Sequence, residues 1–276
     1  MSAAVPVSVV VPCFRCANTI GRALASVAAQ TARPQAVILV DDASGDTTAE
    51  TLRSLQANHP AGWVTVITLP VNQGAATARN VGWEAATTRH VAFLDADDSW
   101  HPDKLALQYA FMHTHPDVVA TGHRFLQAQS DAYGTPSDYP PLATSPLPHH
   151  PIVPWQVLLK NPFITPSLML RTDAPLRFPV GQRHMEDHLL LMQLALRGVP
   201  MVRIDLPLAC IHKDRYGQAG LSADMHAMHQ AELDNLQRLV RDGDLPATAG
   251  WVLRGYVRLK FVRRQLLVAL RQRGAA

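Results

Sequence analysis

Three cysteines in 276 residues, Cys13, Cys16 and Cys210, leave one thiol over and make no disulfide framework. Nothing near Met1 joins a cationic stretch to an apolar one, so no secretory signal is read. A reducing, cytoplasmic setting is therefore expected. No run of residues has the apolar length of a membrane-spanning helix. Charge of one sign is also scarce. The formal net charge of +3 argues against a general polyanion binder, and no nucleic-acid partner is expected.

What is present is ordinary in amount and uneven in placement. A hydrophobic fraction of 47% is ample for a sizeable core, and the length suits one large domain with or without an appendage. From Trp251 onward there are seven basic residues (Arg254, Arg258, Lys260, Arg263, Arg264, Arg271 and Arg273) and no acidic ones.

The first half alternates apolar runs with helical patterns. Residues 7–11, 36–40, 64–69 and 90–94 read as strands, the first two as strands buried on both faces. Helices are expected over 20–27, with Asn18 as cap, and over 48–58, 74–86 and 102–113. Repeated βα units of this kind predict an α/β protein with a mostly parallel sheet and helices on both faces. Another strand follows over 118–125. Between Thr135 and Pro154 seven prolines predict an irregular surface excursion. Structure resumes with a short helix at 155–159, a strand at 167–170, a helix at 186–197 closed by Gly198, and a strand at 199–206. A long helix near Ser222 and a last one over 247–271 complete the chain.

In such sheets ligands bind beyond the carboxyl ends of strands, where strand order reverses. Two acidic clusters stand at such ends: Asp41-Asp42, and Asp95-x-Asp97-Asp98. A strand-end Asp is often no more than a turn residue, which accounts for Asp46. Three neighbouring carboxylates repel one another unless a cation or donors compensate. A hard divalent ion shared with substrate phosphates is the natural compensation, which makes Mg²⁺ or Mn²⁺ the expected cofactor.

The stretches VSVVVPCF, QAVILVDDASGDTT, NQGAATARNVGWEAA and FLDADDSWHPDKLALQ occur in the order and spacing of the inverting family-2 glycosyltransferases, and the later RHMEDHLLLMQLALRG resembles that family's acceptor-side helix. The resemblance spans roughly residues 5–215. It implies the GT-A fold, a Rossmann-like sheet flanked by helices, over residues 1–220. Residues 1–125 would form the nucleotide-sugar-binding half, 126–220 the acceptor-side half, and 221–276 a C-terminal helical appendage. By the same resemblance Pro12 and Phe14 lie against the donor base, Asp41 hydrogen-bonds that base, and Asp42 steadies the turn. Arg79 lies near the nucleotide, and Asp95 faces the ribose or the donor sugar. Asp97 ligates the metal, with Asp98 beside it in support. Asp187, next to Glu186, is the general base on the acceptor hydroxyl. His212 and Arg215 are candidates for charge at the leaving diphosphate. The implied reaction is inverting transfer from a nucleotide sugar, uridine-linked, to a glycan or lipid-linked acceptor.

Other readings compete for the same residues. Cys13-x-x-Cys16 at a strand-to-helix junction is how a thioredoxin-like protein presents a dithiol, but such proteins lack the two acidic strand ends. His184 and His188 stand at i, i+4, yet neither zinc-protease motif is completed around them. A nucleotide-sugar pyrophosphorylase would carry a Gly- and Arg-rich loop where this chain has PCFRCANT. A non-catalytic nucleotide-binding scaffold would be favoured by missing acids, whereas Asp41, Asp97 and Asp187 are all in place. His226 and His229 are expected on a solvated helix face. For the basic C-terminal helix three roles stay open: packing on its own domain, peripheral docking on the inner face of a membrane, or homodimerisation.

Overall fold

The computed structural model describes residues 4–128, 142, 146–212 and 224–274, with side chains in the last helix described as far as Leu266. Its centre is a nine-stranded sheet among these described residues. Strands β1 (Val5–Cys13), β2 (Pro34–Asp41), β3 (Val64–Thr68) and β4 (His90–Phe93) lie in the order β3-β2-β1-β4, all parallel. Helices α1 (Ile20–Ala28), α2 (Thr48–Ala57) and α3 (Ala75–Glu84) connect them. The chain runs outward from β1 to β3 and then returns to β4 on the other side. The switch point therefore falls between β1 and β4, and a crevice opens beyond their carboxyl ends.

Alternation along β1 explains the unbroken apolar run of its sequence. Val7, Val9 and Val11 point into one apolar cluster and Val10 into the other, so both faces are buried. In the cluster containing Val10, Trp83 of α3 packs edge-on against Phe93 at 5.3 Å and Phe178 at 6.1 Å between ring centroids. Helix α3 approaches the sheet closely because Gly82 faces Val10; a Cβ there would lie 2.4 Å from Val10 Cγ1.

Past β4 the sheet becomes mixed. β8 (Met169–Arg171) is antiparallel to both β4 and β6 (Ala120–Gln127), while β6 is parallel to β9 (Met201–Ile211). Helices α4 (Lys104–Thr114), α5 (Pro154–Leu159) and α6 (Glu186–Leu196) flank this half. Helix α6 ends as anticipated at Gly198, φ 73°, with Gly198 N–H on Ala195 C=O and Val199 N–H on Leu194 C=O. Helices α7 (Met225–Arg241) and α8 (Ala247–Gly274) follow, and their Leu233, Leu236, Leu239 and Val257 join the apolar cluster that holds Leu190 and Leu194.

Some expectations change. Two short strands were not legible: β5 (Ser99–Trp100) and β7 (His149–Pro151), both antiparallel to β9. β7 falls inside the proline-rich stretch, where its place beside a single neighbour tolerates Pro151. Asn18 is not the cap of α1; Thr19 occupies that position, with its hydroxyl on Cys16 C=O. His226 is exposed as expected, while His229 is half-buried with its ring stacked on Phe261 at 4.1 Å.

Candidate active site

Loops at the carboxyl ends of β1, β2 and β4 edge the crevice, and Arg79 of α3 ties the last of them to the N-terminus of α6. The first two loops are stitched together. Arg15 N–H donates to Ser44 Oγ at 3.1 Å and Cys16 N–H to Thr48 Oγ1 at 3.0 Å. Asp41, buried, accepts from the Ser44 hydroxyl and so holds its own turn. Asp42, also buried, reaches across to the segment before α3. It accepts from Gln73 N–H at 2.7 Å, Gly74 N–H at 2.8 Å and Asn72 Nδ2 at 3.0 Å. Asp42 thus sets where α3 begins, a wider task than the local turn its position suggested. Phe14 is 47% exposed at the mouth of the crevice, with the Arg15 guanidinium 5.3 Å from its ring centre.

The two cysteines of this loop are reduced and buried. Contact with the Cys16 thiol, together with burial, pushes the Cys13 thiol well above its ordinary value. They pack beneath the loop, while Phe14 between them faces out.

The loop after β4 is anchored from several sides. Arg22 of α1 donates to the Asp97 carbonyl at 2.6 Å. Asp98, buried, accepts from His212 N–H at 3.3 Å, and the His212 ring meets Ser99 Oγ at 2.8 Å. This places His212, at the end of β9, beside the acidic loop. Arg215, its companion in the sequence reading, lies outside the described residues. The carboxylates of Asp95 and Asp97 are half-buried.

Arg79 joins the two halves of the site. Projecting from α3, it donates to Asp95 Oδ1 at 2.8 Å and to Glu186 Oε1 at 2.7 Å, a residue 107 positions away in sequence. Its guanidinium lies over the Phe178 ring at 5.4 Å. Asn80 beside it exchanges two hydrogen bonds with the Phe178 backbone, at 2.8 and 3.0 Å. Burial works against the Arg79 charge, but the two carboxylates outweigh it and hold the guanidinium protonated.

Asp187 follows Glu186 at the start of α6, where the helix N-terminus favours negative charge. Its Oδ1 accepts from His188 N–H at 2.7 Å and its Oδ2 from Asn161 Nδ2 at 3.0 Å, with Thr165 Oγ1 at 3.5 Å. Burial raises the pKa of both Glu186 and Asp187; Arg79 opposes the rise in each, and the Asn161 and His188 hydrogen bonds oppose it in Asp187. Although protein packs round its carboxylate, Asp187 keeps part of its surface open to solvent.

The residues that hold Asp187 were not legible in sequence. Met185 adopts a left-handed conformation, φ 59°, which a non-glycine side chain does not favour. Asn235 of α7 secures it by donating to the Met185 carbonyl at 3.0 Å, and Gln182 donates to Asn235 Oδ1 at 2.8 Å. Asn161 is held by Phe163, whose ring lies over Gly122 of β6; a Cβ there would come 2.2 Å from Phe163 Cδ1. His188, half of the possible zinc pair, is buried with Nε2 2.6 Å from the Val157 carbonyl. Among the described residues no group of three or more His, Cys, Asp or Glu is placed to hold a metal by itself.

A crevice at the switch point of a Rossmann-like sheet, edged by strand-end carboxylates and faced by a carboxylate at a helix start, gives the chain the GT-A-type fold. Residues 8–174 match the family model described as glycosyl transferase family 2, and the chain belongs to that family. It is 40% identical over 106 residues to the putative teichuronic acid biosynthesis glycosyltransferase TuaG of Bacillus subtilis, covering 38% of this chain and 41% of that protein. It is 33% identical over 110 residues to WfaP of Escherichia coli, a UDP-Glc:alpha-D-GlcNAc-diphosphoundecaprenol beta-1,3-glucosyltransferase, covering 39% and 41%. These matches thus span about two fifths of the relatives' length. Staphylococcus aureus TarS 1-349 in complex with UDP-GlcNAc superposes with a TM-score of 0.67 at 19% identity, covering 93% of this chain and 71% of that one. The mannosyltransferase PcManGT of Pyrobaculum calidifontis, in complex with GDP-Man and Mn²⁺, gives a TM-score of 0.64 at 21% identity, covering 94% and 72%.

Proposed function

We propose that the chain is an inverting glycosyltransferase that moves a sugar from a uridine-linked donor to a hydroxyl of a glycan or lipid-linked acceptor. The observation that carries this reading is the Arg79 bridge. By holding Asp95 and Glu186 together it brings the acidic loop after β4 and the Asp187 carboxylate into one crevice. Residues 1–125 form the donor half, 126–220 the acceptor half, and 221–276 the helical part that braces Met185 through Asn235. The uridine donor and the lipid-diphosphate acceptor are supported by the activity of WfaP and the ligand of TarS.

In the donor half Pro12 and Phe14 offer an apolar face to the base, and Asp41 a rigid acceptor for its N–H. Asp97 would be the protein ligand of a hard divalent cation, either Mg²⁺ or Mn²⁺, whose remaining oxygen ligands would come from the donor diphosphate and water, since no group of three or more His, Cys, Asp or Glu among the described residues is placed to hold a metal. Such a cation supplies charge neutralisation to the departing diphosphate. PcManGT, in complex with GDP-Man and Mn²⁺, supports that assignment. Asp187 takes the proton of the acceptor hydroxyl as the new bond forms. Its raised pKa strengthens it as a base, and its fixed hydrogen bonds aim it. Attack from the side away from the diphosphate inverts the anomeric centre.

A screen of nucleotide sugars against simple glycan and lipid-diphosphate acceptors, with Mg²⁺ or Mn²⁺ and with chelator, tests this reading. NMR of the product reports the anomeric configuration. Asp187→Asn should retain donor binding and lose transfer by roughly 10²–10⁴-fold, the range for a general base. Transfer undiminished in Asp187→Asn would refute the base assignment, and retention of configuration the mechanism. Donor binding with no transfer to any acceptor would leave the scaffold reading in its place.

A further inference from the structure

Helix α8 is apolar on two sides. One side is satisfied: Val257 is buried, Phe261 stacks under His229, and Gly250 sits against Val240 of α7. The other side carries Trp251, Val252, Tyr256, Leu259, Val262 and Leu266, all exposed, with Trp251 at 80% and Leu259 at 69%. At α-helical spacing these six fall within an arc of roughly 140°. Arg258 borders one edge of that arc and Lys260 the other, while Arg263 falls among the apolar positions near the second edge. Isolated exposed apolar residues need no explanation, but a continuous row on one helix does.

We infer that this face of α8 docks on an anionic membrane surface, with the helix lying in the interfacial plane. The charge distribution selects the occupant. Seven basic and no acidic residues from Trp251 onward suit anionic headgroups, while the same face of a second copy would bring like charges together. Lying on the surface, rather than crossing it, is the geometry of a helix with an apolar stripe and basic margins. No helix among the described residues is long and apolar enough to cross a membrane. Lys260 pairs with Glu232, and α7 in turn holds Met185 through Asn235, so the docking helix is joined by direct contacts to the loop that presents Asp187.

Flotation of the full chain with phosphatidylcholine vesicles, with and without phosphatidylglycerol, tests the inference. Binding should appear only with the anionic lipid, weaken as salt rises, and blue-shift the Trp emission in a manner abolished by Trp251→Phe. Leu259→Glu/Val262→Glu should lower partitioning by at least about tenfold, and Arg258→Glu/Arg263→Glu by a comparable factor. These side chains are exposed and have no part in the catalytic or donor-binding groups, so thermal unfolding and circular dichroism should match wild type. Equal binding to zwitterionic and anionic vesicles, or no binding to either, would overturn the inference. So would a dimer, seen by sedimentation, that Leu259→Glu/Val262→Glu dissociates, since the stripe would then belong to a second copy.

Discussion

Replacing Arg79 by Met keeps much of the aliphatic stem and removes a cation that both Asp95 and Glu186 contact at under 3 Å. Glu186 sits in a buried environment that already raises its pKa, and Arg79 is the chief force opposing that rise. Breaking a buried pair by removing one partner leaves an uncompensated charge and costs about 3–5 kcal/mol. The loss should depend on pH with a definite sign. A carboxyl whose pKa is higher folded than unfolded takes up a proton in the folded state first, so its penalty is absent at low pH and present above the folded pKa. Without Arg79 the pKa values of Glu186 and Asp187 rise further, each additional unit adding about 1.4 kcal/mol to the penalty above it. Urea unfolding at pH 7.5 should therefore show Arg79→Met about 3–5 kcal/mol below wild type, and the gap should narrow by about 1 kcal/mol or more at pH 5.5. Adding Glu186→Gln should restore part of the stability at pH 7.5, because the orphaned charge is gone. A loss under about 1 kcal/mol, or a gap identical at both pH values, would refute the reasoning.

Asn161→Ala removes a hydrogen bond that holds the Asp187 pKa down, so the acid limb of the kcat/KM profile should move to higher pH while donor affinity stays put. An unmoved limb would show that Asn161 does not tune the base. Asp97→Asn should weaken metal-dependent donor binding by calorimetry at least tenfold and leave metal-free binding unchanged, an order of magnitude set by the loss of one charged ligand. Gly122→Ala should destabilise by about 1–3 kcal/mol, the cost of forcing a methyl into filled space, and depress transfer more than donor binding, because Phe163 carries Asn161.

Much of the first half could be read directly from the chain. Strands buried on both faces appear as unbroken apolar runs, and their ends are marked by Asp41-Asp42 and Asp95-x-Asp97-Asp98, so β1 to β4 and the placement of the acidic loops follow from local pattern. The second half was harder. β5 is two residues long and β7 three, too short for any periodicity, and both exist only because β9 offers them an edge. The role of Arg79 as a bridge was likewise hidden, since Glu186 is distant in sequence and nothing near Arg79 announces it. Asn161, Met185 and Asn235 carry no motif; each acquires its role from a neighbour brought to it by folding.

The dithiol reading of Cys13 and Cys16 turned on the same distinction. Sequence put both beside a helix start, where a thiol can be activated; packing turned both inward and left Phe14 facing out. The same holds for α8. Its composition alone allowed packing, docking or dimerisation, because an amphipathic pattern says that a face is apolar and not what covers it. Local chemistry, written in contiguous residues, determined the βα units, the acidic strand ends and the family. Tertiary structure decided which carboxylates share the Arg79 guanidinium, what fixes Asp187, and which side of the last helix remains uncovered, because those depend on contacts between residues that the chain alone does not bring together.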